Sequence, residues 1–182
     1  MTTYISILRG INVSGHNIIK MAALKEMYER LGFSDITTYV QSGNVIFKSK
    51  TAEPKKLEQT ISHEIEKEFG FQVPVIVLTA ESLETIINQN PFVDDNKKEP
   101  SFMHVTFLSE PPQAFDCENI LSTKAPEEEI FFTGHAVYLY CPEGYGQTKL
   151  SNNFLEKKLK VGATTRNWKS TTKLLEIALG AK

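Results

Sequence analysis

The sequence predicts an α+β fold: two tandem ferredoxin-like subdomains, each βαββαβ with an antiparallel sheet and helices on one face, followed by a C-terminal helix. Strand-like runs and helical apolar stripes follow one another as strand, helix, strand, strand, helix, strand over residues 1–79, and the same order returns over residues 101–182. Between them lies the most polar run of the chain, Asp94-Asp95-Asn96-Lys97-Lys98-Glu99-Pro100, so residues 80–100 read as a linking helix and a solvated loop. With 182 residues and 41% hydrophobic content, the chain can bury the cores that two small subdomains require. No identity links the halves beyond the order of elements, which points to a repeat of structure and not a copied motif.

Residues Thr3 to Leu8 alternate loosely and are rich in Ile, which suits a strand buried on at least one face. Met21, Leu24, Met27, Tyr28 and Leu31 then recur at helical spacing, and Gly32-Phe33 is the glycine and apolar pair with which helices commonly close. Asp35 to Val40 and Asn44 to Phe47 read as strands about Gln41-Ser42-Gly43-Asn44, a hairpin connection because Gly43 and Asn44 tolerate positive φ. Pro54 suits the first turn of a helix with the stripe Leu57, Ile61, Ile65, Phe69, ended by Gly70-Phe71. Val73 to Leu78 is the next strand, and Pro74 near its start points to a sheet edge, because proline cannot donate to a ladder.

Thr79 is placed to cap the linking helix over Glu81 to Gln89, which Asn90-Pro91 stops. Beyond the polar loop, Phe102 to Leu108 is a strand and Pro111-Pro112 is expected to open a helix reaching about Ser122. Glu129 to Phe132 and Ala136 to Cys141 form a hairpin across Thr133-Gly134-His135. A helix through Leu150, Phe154, Leu155 and Leu159 and a short segment at Ala163-Thr164-Thr165 complete the second set. The final helix starts near Trp168 and buries Leu174, Leu175, Ala178 and Leu179.

Twenty Lys and Arg against 22 Asp and Glu leave a net charge of -2, so no general field draws in nucleic acid and any anion site must be local. No apolar run approaches the roughly 20 residues that cross a bilayer, and Met1-Thr2-Thr3-Tyr4 does not begin a basic segment leading into an apolar one. The expectation is a soluble, cytoplasmic protein. Cys117 and Cys141 have no CxxC spacing and read as buried reduced thiols. His16, His63, His104 and His135 lack metal-ligand spacing, so no metal is expected. There is no Gly-x-Ser-x-Gly elbow and no identifiable His partner for Ser42. No catalytic residue or cofactor is therefore assigned, and whether the chain is an enzyme is left open.

The distinctive residues sit at the ends of strands. Arg9 ends a strand that should be buried, and its charge there needs a carboxylate, a backbone carbonyl or a ligand anion. Asn12, Gln41, Asn44 and Asn153 are amides beside turns; such groups either satisfy local backbone or read the edges of bases and sugars. Gly144-Tyr145-Gly146-Gln147-Thr148-Lys149 follows a strand and precedes a helix, the context of a phosphate cradle, though it matches neither the Walker A nor the GxGxxG spacing. The alternative is a flexible connection with Lys149 in solvent. In Arg166-Asn167-Trp168, Asn167 is a natural helix cap and Trp168 a core anchor.

Leu8-Arg9-Gly10-Ile11-Asn12-Val13, Gln41-Ser42-Gly43-Asn44-Val45, Asn90-Pro91-Phe92, Thr148-Lys149-Leu150-Ser151-Asn152 and Thr165-Arg166-Asn167-Trp168, taken in order, resemble an uncharacterised bacterial family, a domain of unknown function marked by LRGINVGG, QSGNV and TRNW motifs. The resemblance spans nearly the whole chain. It implies two α+β subdomains of ferredoxin-like character and no reaction. The chain departs from the family pattern at Ser14-Gly15-His16, where Gly-Gly-Lys or Gly-Gly-His is usual, which makes the first turn less permissive.

The function expected from these residues is binding of a small anionic ligand, phosphorylated or nucleotide-like, between the two halves, by Arg9, Asn12, Gln41, Asn44, Lys149, Asn153 and Arg166. Two other readings stay open. Single-stranded nucleic acid could stack on the strand aromatics Tyr39, Phe47, Tyr138 and Tyr140, although the acidic balance argues against it. Alternatively the polar turns only knit the fold of a protein-interaction module. No membrane partner is expected, and the oligomeric state is not legible.

Overall fold

A computed structural model describes residues 1–50 and 53–180. The chain forms two compact units, Met1–Glu84 with Leu174–Lys182, and Thr85–Lys173. The first contains β1 (Thr2–Leu8), α1 (Met21–Arg30), β2 (Ser34–Tyr39), β3 (Asn44–Ser49), α2 (Pro54–Phe69) and β4 (Val75–Thr79). Its sheet runs β2-β3-β1-β4 with every neighbouring pair antiparallel, the ferredoxin-like order, and β4 lies at an edge as Pro74 requires.

Strand alternation puts Tyr4, Leu8, Val45, Phe47, Val75 and Val77 in one core with Leu24, Met27 and Tyr28 of α1 and Leu57, Ile61 and Ile65 of α2. Each side chain of this size contributes about 1.5–3 kcal/mol on burial. Phe47 is the centre of an aromatic group, with ring centroids 4.6 Å from Phe33, 5.4 Å from Tyr28 and 5.7 Å from Tyr4. Ser6, buried on the same face, is satisfied by the Tyr28 hydroxyl at 2.7 Å. α1 closes as expected: Gly32 has φ +88°, its N–H donates to Glu29 O, and Phe33 N–H donates to Tyr28 O.

The hairpin from β2 to β3 differs from expectation. The left-handed residues are Val40 (φ +53°) and Gly43 (φ +91°), whereas Asn44 is already in β3 and buried. The turn begins one residue earlier than the Gln-Ser-Gly-Asn tetrad suggests, with Gly43 N–H donating to Val40 O. After β4, α3 (Ala80–Asn88) is capped by Thr79, whose Oγ1 accepts from Ser82 N at 3.0 Å.

The second unit contains β5 (Met103–Leu108), α4 (Cys117–Thr123), β6 (Glu129–Phe132), β7 (Ala136–Tyr140), α5 (Asn152–Leu159) and β8 (Ala163–Asn167). Its antiparallel sheet, β6-β7-β5-β8, repeats the order of the first. Leu108, Val137, Leu139, Cys141 and Ala163 pack with Ile120, Leu155 and Leu159. α4 starts at Cys117 and not at Pro111-Pro112: Asp116 caps it, accepting from Asn119 N at 3.0 Å, and a proline disfavours helical backbone at the residue before it. α6 (Trp168–Ala178) is capped by Asn167, which accepts from Ser170 N at 2.8 Å, and Trp168 is buried. Among the described residues no helix is long and apolar enough to cross a membrane.

Candidate functional site

Arg9, Asn12, Gln41 and Asn44 belong to the first unit, and Lys149, Asn153 and Arg166 to the second. In the first unit the loop from β1 to α1 is held in shape by its own polar groups. Gly10, Asn12, Ser14, Gly15 and Asn17 all have positive φ. Asn12 N–H donates to Asn17 O at 3.0 Å, and Asn17 Nδ2 donates back to Gly10 O at 3.1 Å. The Asn12 side chain is the hub: its Nδ2 donates to Ile19 O (3.0 Å) and Gln41 O (2.8 Å), and its Oδ1 accepts from Ile19 N (2.8 Å). Both amide protons of Asn12 are thereby committed to backbone.

The hairpin loop completes this cluster. Leu8 N–H donates to Gly43 O at 2.8 Å, and a Cβ at Gly43 would stand 2.6 Å from Ile11 Cδ1 and 2.9 Å from Leu8 Cβ. Asn44 Nδ2 donates to Tyr39 O and Ser42 Oγ across the turn. Arg9 is half-buried, and its backbone N–H donates to Pro74 O at 3.1 Å. The structure therefore brings Asn12, Gln41 and Asn44 together around one hairpin, with Gln41 contributing its backbone carbonyl.

In the second unit Arg166 lies on β8, where Nη1 donates to Thr165 O at 3.1 Å. Burial pushes its guanidinium down to about 10, from an ordinary value near 12.5. Asn153 is exposed in the first turn of α5. Lys149 is exposed on the loop after β7, where it lines an open cleft of about 560 Å³ that includes none of the other six residues.

The end of α4, the segment entering β6 and the loop after β7 build this cleft. Lys124, Lys149 and Gln147 line it, together with Ser122 and Thr123, whose hydroxyls donate to Asn119 O at 2.9 and 2.8 Å, and Thr148, whose hydroxyl donates to the Cys141 sulfur. Glu143 and Glu128 are its carboxylates. Glu128 is only 3% exposed, and its Oε1 accepts from Ala125 N at 2.8 Å. The Cys141 thiol donates to the same carboxylate and accepts from Thr148; burial, with Glu128 adding to it, pushes the thiol up to about 12.

The amides of Gly144, Gln147, Thr148 and Leu150 do not form a backbone cradle. Gly144 N–H donates to Cys141 O, Gln147 N–H to Gly144 O, Thr148 N–H to Tyr145 O and Leu150 N–H to Thr148 Oγ1. Those amides are consumed within the loop, around a 3-10 turn over Tyr145–Gln147, and Gln147, Thr148 and Lys149 line the cleft. The loop is anchored by Tyr145 stacked on the half-buried His104, with centroids 4.5 Å apart at 19°, and desolvation holds His104 below the usual imidazole value.

Lys124 and Glu128 were not singled out by sequence. Their segment, Lys124-Ala125-Pro126-Glu127-Glu128-Glu129, reads as a solvated charged run, and no periodicity marks the middle glutamate of three as the buried one. Of the strand aromatics suited to base stacking, Phe47, Tyr138 and Tyr140 are buried, with the Tyr138 hydroxyl donating to Ile86 O, and Tyr39 is half-buried. Among the described residues no group of three or more His, Cys, Asp or Glu is placed to hold a metal.

A conserved bacterial protein from Streptococcus pneumoniae has a solved structure that matches with a TM-score of 0.72 at 22% identity, over 97% of this chain and 98% of that one. At that identity the likeness concerns the fold. No curated protein matches the sequence. The profile of the family described as a protein of unknown function, DUF1697, matches residues 1–138, a span that holds the Leu8–Val13 and Gln41–Val45 motifs and all of the first unit's sheet. The chain belongs to the DUF1697 family.

Proposed function

We propose that the chain binds a small anionic ligand, phosphorylated or nucleotide-like, in the cleft of its second unit. The observation that carries this reading is the convergence of Lys124 and Lys149, from separate segments, on one open cleft that the Gln147 side chain also lines. The chain is acidic overall and the cleft also carries Glu128 and Glu143, so the two lysines are the local positive charge of a mixed site and not a sample of a basic surface. Two ammonium groups and the Gln147 amide suit a phosphate or carboxylate, whose oxygens accept from several directions. In this reading Lys149 serves the ligand, while Asn12, Gln41 and Asn44 serve the loops of the first unit. Arg9, Asn153 and Arg166 have no part in the cleft.

Thermal melting against inorganic phosphate, sugar phosphates and nucleotides tests this, with Lys124→Ala and Lys149→Ala alongside. A ligand at about 100 times its dissociation constant adds roughly 2.7 kcal/mol to the native state. The expected result is a raised midpoint for at least one anion, reduced by either variant and weakened by salt. A panel with no shift, or a shift that both variants retain, overturns the reading.

A further inference from the structure

The cleft also contains a charge that the lysines do not explain. Glu128 lines it, yet only 3% of the residue is exposed. Among the described residues its donors are the Ala125 N–H, at 2.8 Å, and the Cys141 thiol. An ionised carboxylate has about four lone-pair directions, so two remain. No cation among the described residues forms an ion pair with it, although Lys124 and Lys149 line the same cavity. A carboxylate held by one amide and one weak thiol donor keeps accepting capacity, and a cationic donor fills it best. The cleft wall is where that cation has room to arrive.

We propose that the ligand of this cleft is a small zwitterion, whose anionic group is held by Lys124 and Lys149 and whose ammonium is read by Glu128. This rests on the anion-cleft reading and specifies the other end of the same ligand. A carboxylate in the wall of a cleft that also holds two lysines lowers affinity for a plain anion and raises it for a molecule that carries its own positive charge, so Glu128 acts as the selective element. An aminoalkyl phosphate or a phosphorylated amino acid has the required pair of groups.

The experiment compares O-phosphoethanolamine with ethyl phosphate, which has the same phosphate and chain but no ammonium. Binding of each is followed by NMR shift titration of the wild-type protein and of Glu128→Gln. The expected result is tighter binding of O-phosphoethanolamine by a factor on the order of ten, as a charge-assisted hydrogen bond supplies. In Glu128→Gln that preference collapses while ethyl phosphate binds at least as well as before. Equal binding of the two compounds by the wild-type protein overturns the inference and leaves the anion cleft standing. Absence of binding by both compounds and by inorganic phosphate overturns the anion cleft together with it. Because the wild-type comparison decides by itself, a Glu128→Gln protein that fails to fold does not rescue the idea.

Discussion

Val40 is β-branched, 47% exposed, and held at φ +53°. Left-handed backbone costs an L-residue about 1–2 kcal/mol, and β-branching makes it worse, because two heavy atoms on Cβ crowd the carbonyl. Asn tolerates that region, so Val40→Asn is expected to stabilise the chain by about 1 kcal/mol, a rise of roughly 2–4 °C in melting midpoint for a protein of this size. Gly43, three residues on, has the opposite sign. Gly43→Ala adds a Cβ 2.6 Å from Ile11 Cδ1 at φ +91°, and a loss of more than about 2 kcal/mol is expected. Urea midpoints measure both, and a destabilised Val40→Asn would mean that this side chain makes a contact worth more than its strain. Ser14, at φ +50°, is the same problem in a milder residue. The sequence marks Gly43 as a turn glycine, but it gives no sign that a valine shares the burden. That conformation follows from the register of β2 and β3, with Tyr39 opposite Asn44, which no single residue announces.

At the scale of elements, the two units solve one problem in the same way. β4 and β8 are edge strands, and edge strands expose unpaired backbone groups. In the first unit Glu58 of α2 accepts from Val77 N at 3.0 Å; in the second, Glu156 of α5 accepts from Ala163 N at 2.9 Å. Asn152 adds a bond from Nδ2 to Ala163 O at 2.9 Å and accepts from Thr165 Oγ1 at 2.8 Å. Glu58→Ala and Glu156→Ala are each expected to cost about 1–2 kcal/mol, because a partly buried amide loses a charged acceptor, while the Gln variants cost less. Denaturant titration of the four proteins checks this, and equal losses for Ala and Gln would sink the hydrogen-bond explanation. Elements of this kind were legible where their chemistry is local: the glycine stop after α1, the Thr79 and Asn167 caps, and Pro74 at the edge. The start of α4 was misread because Pro111-Pro112 is a conspicuous signal and Asp116 a quiet one. The cleft was legible only through Lys149, since Lys124 and Glu128 join it by topology, from segments more than 20 residues away in sequence.

For the whole molecule, the desolvated titratable groups set the pH range of stability. On the acid side, desolvation lowers His104 from 6.5, so the unfolded chain binds a proton that the native one refuses. Proton uptake by the unfolded state makes stability rise with pH, and the contribution is complete above about 6.5 and lost as pH falls through the lowered native value. On the alkaline side, burial raises Cys141 from 9.0 to about 12 and Tyr138 from 10.0 to about 12, and it raises Tyr28 further. There the unfolded chain releases protons that the native one keeps, so stability falls as pH climbs past 9 and then past 10. The expected profile is a plateau between about pH 6.5 and 9 with a decline on each side. Urea unfolding at pH 5, 6, 7.5, 9 and 10 traces it. His104→Phe keeps a flat ring against Tyr145 and removes the titrating group, so it should flatten the slope between pH 5 and 6.5 while leaving the alkaline decline untouched. An acid slope unchanged in that variant would assign the loss to other groups, and a profile still rising from pH 9 to 10 would contradict the burial of the thiol and the two phenols as neutral groups.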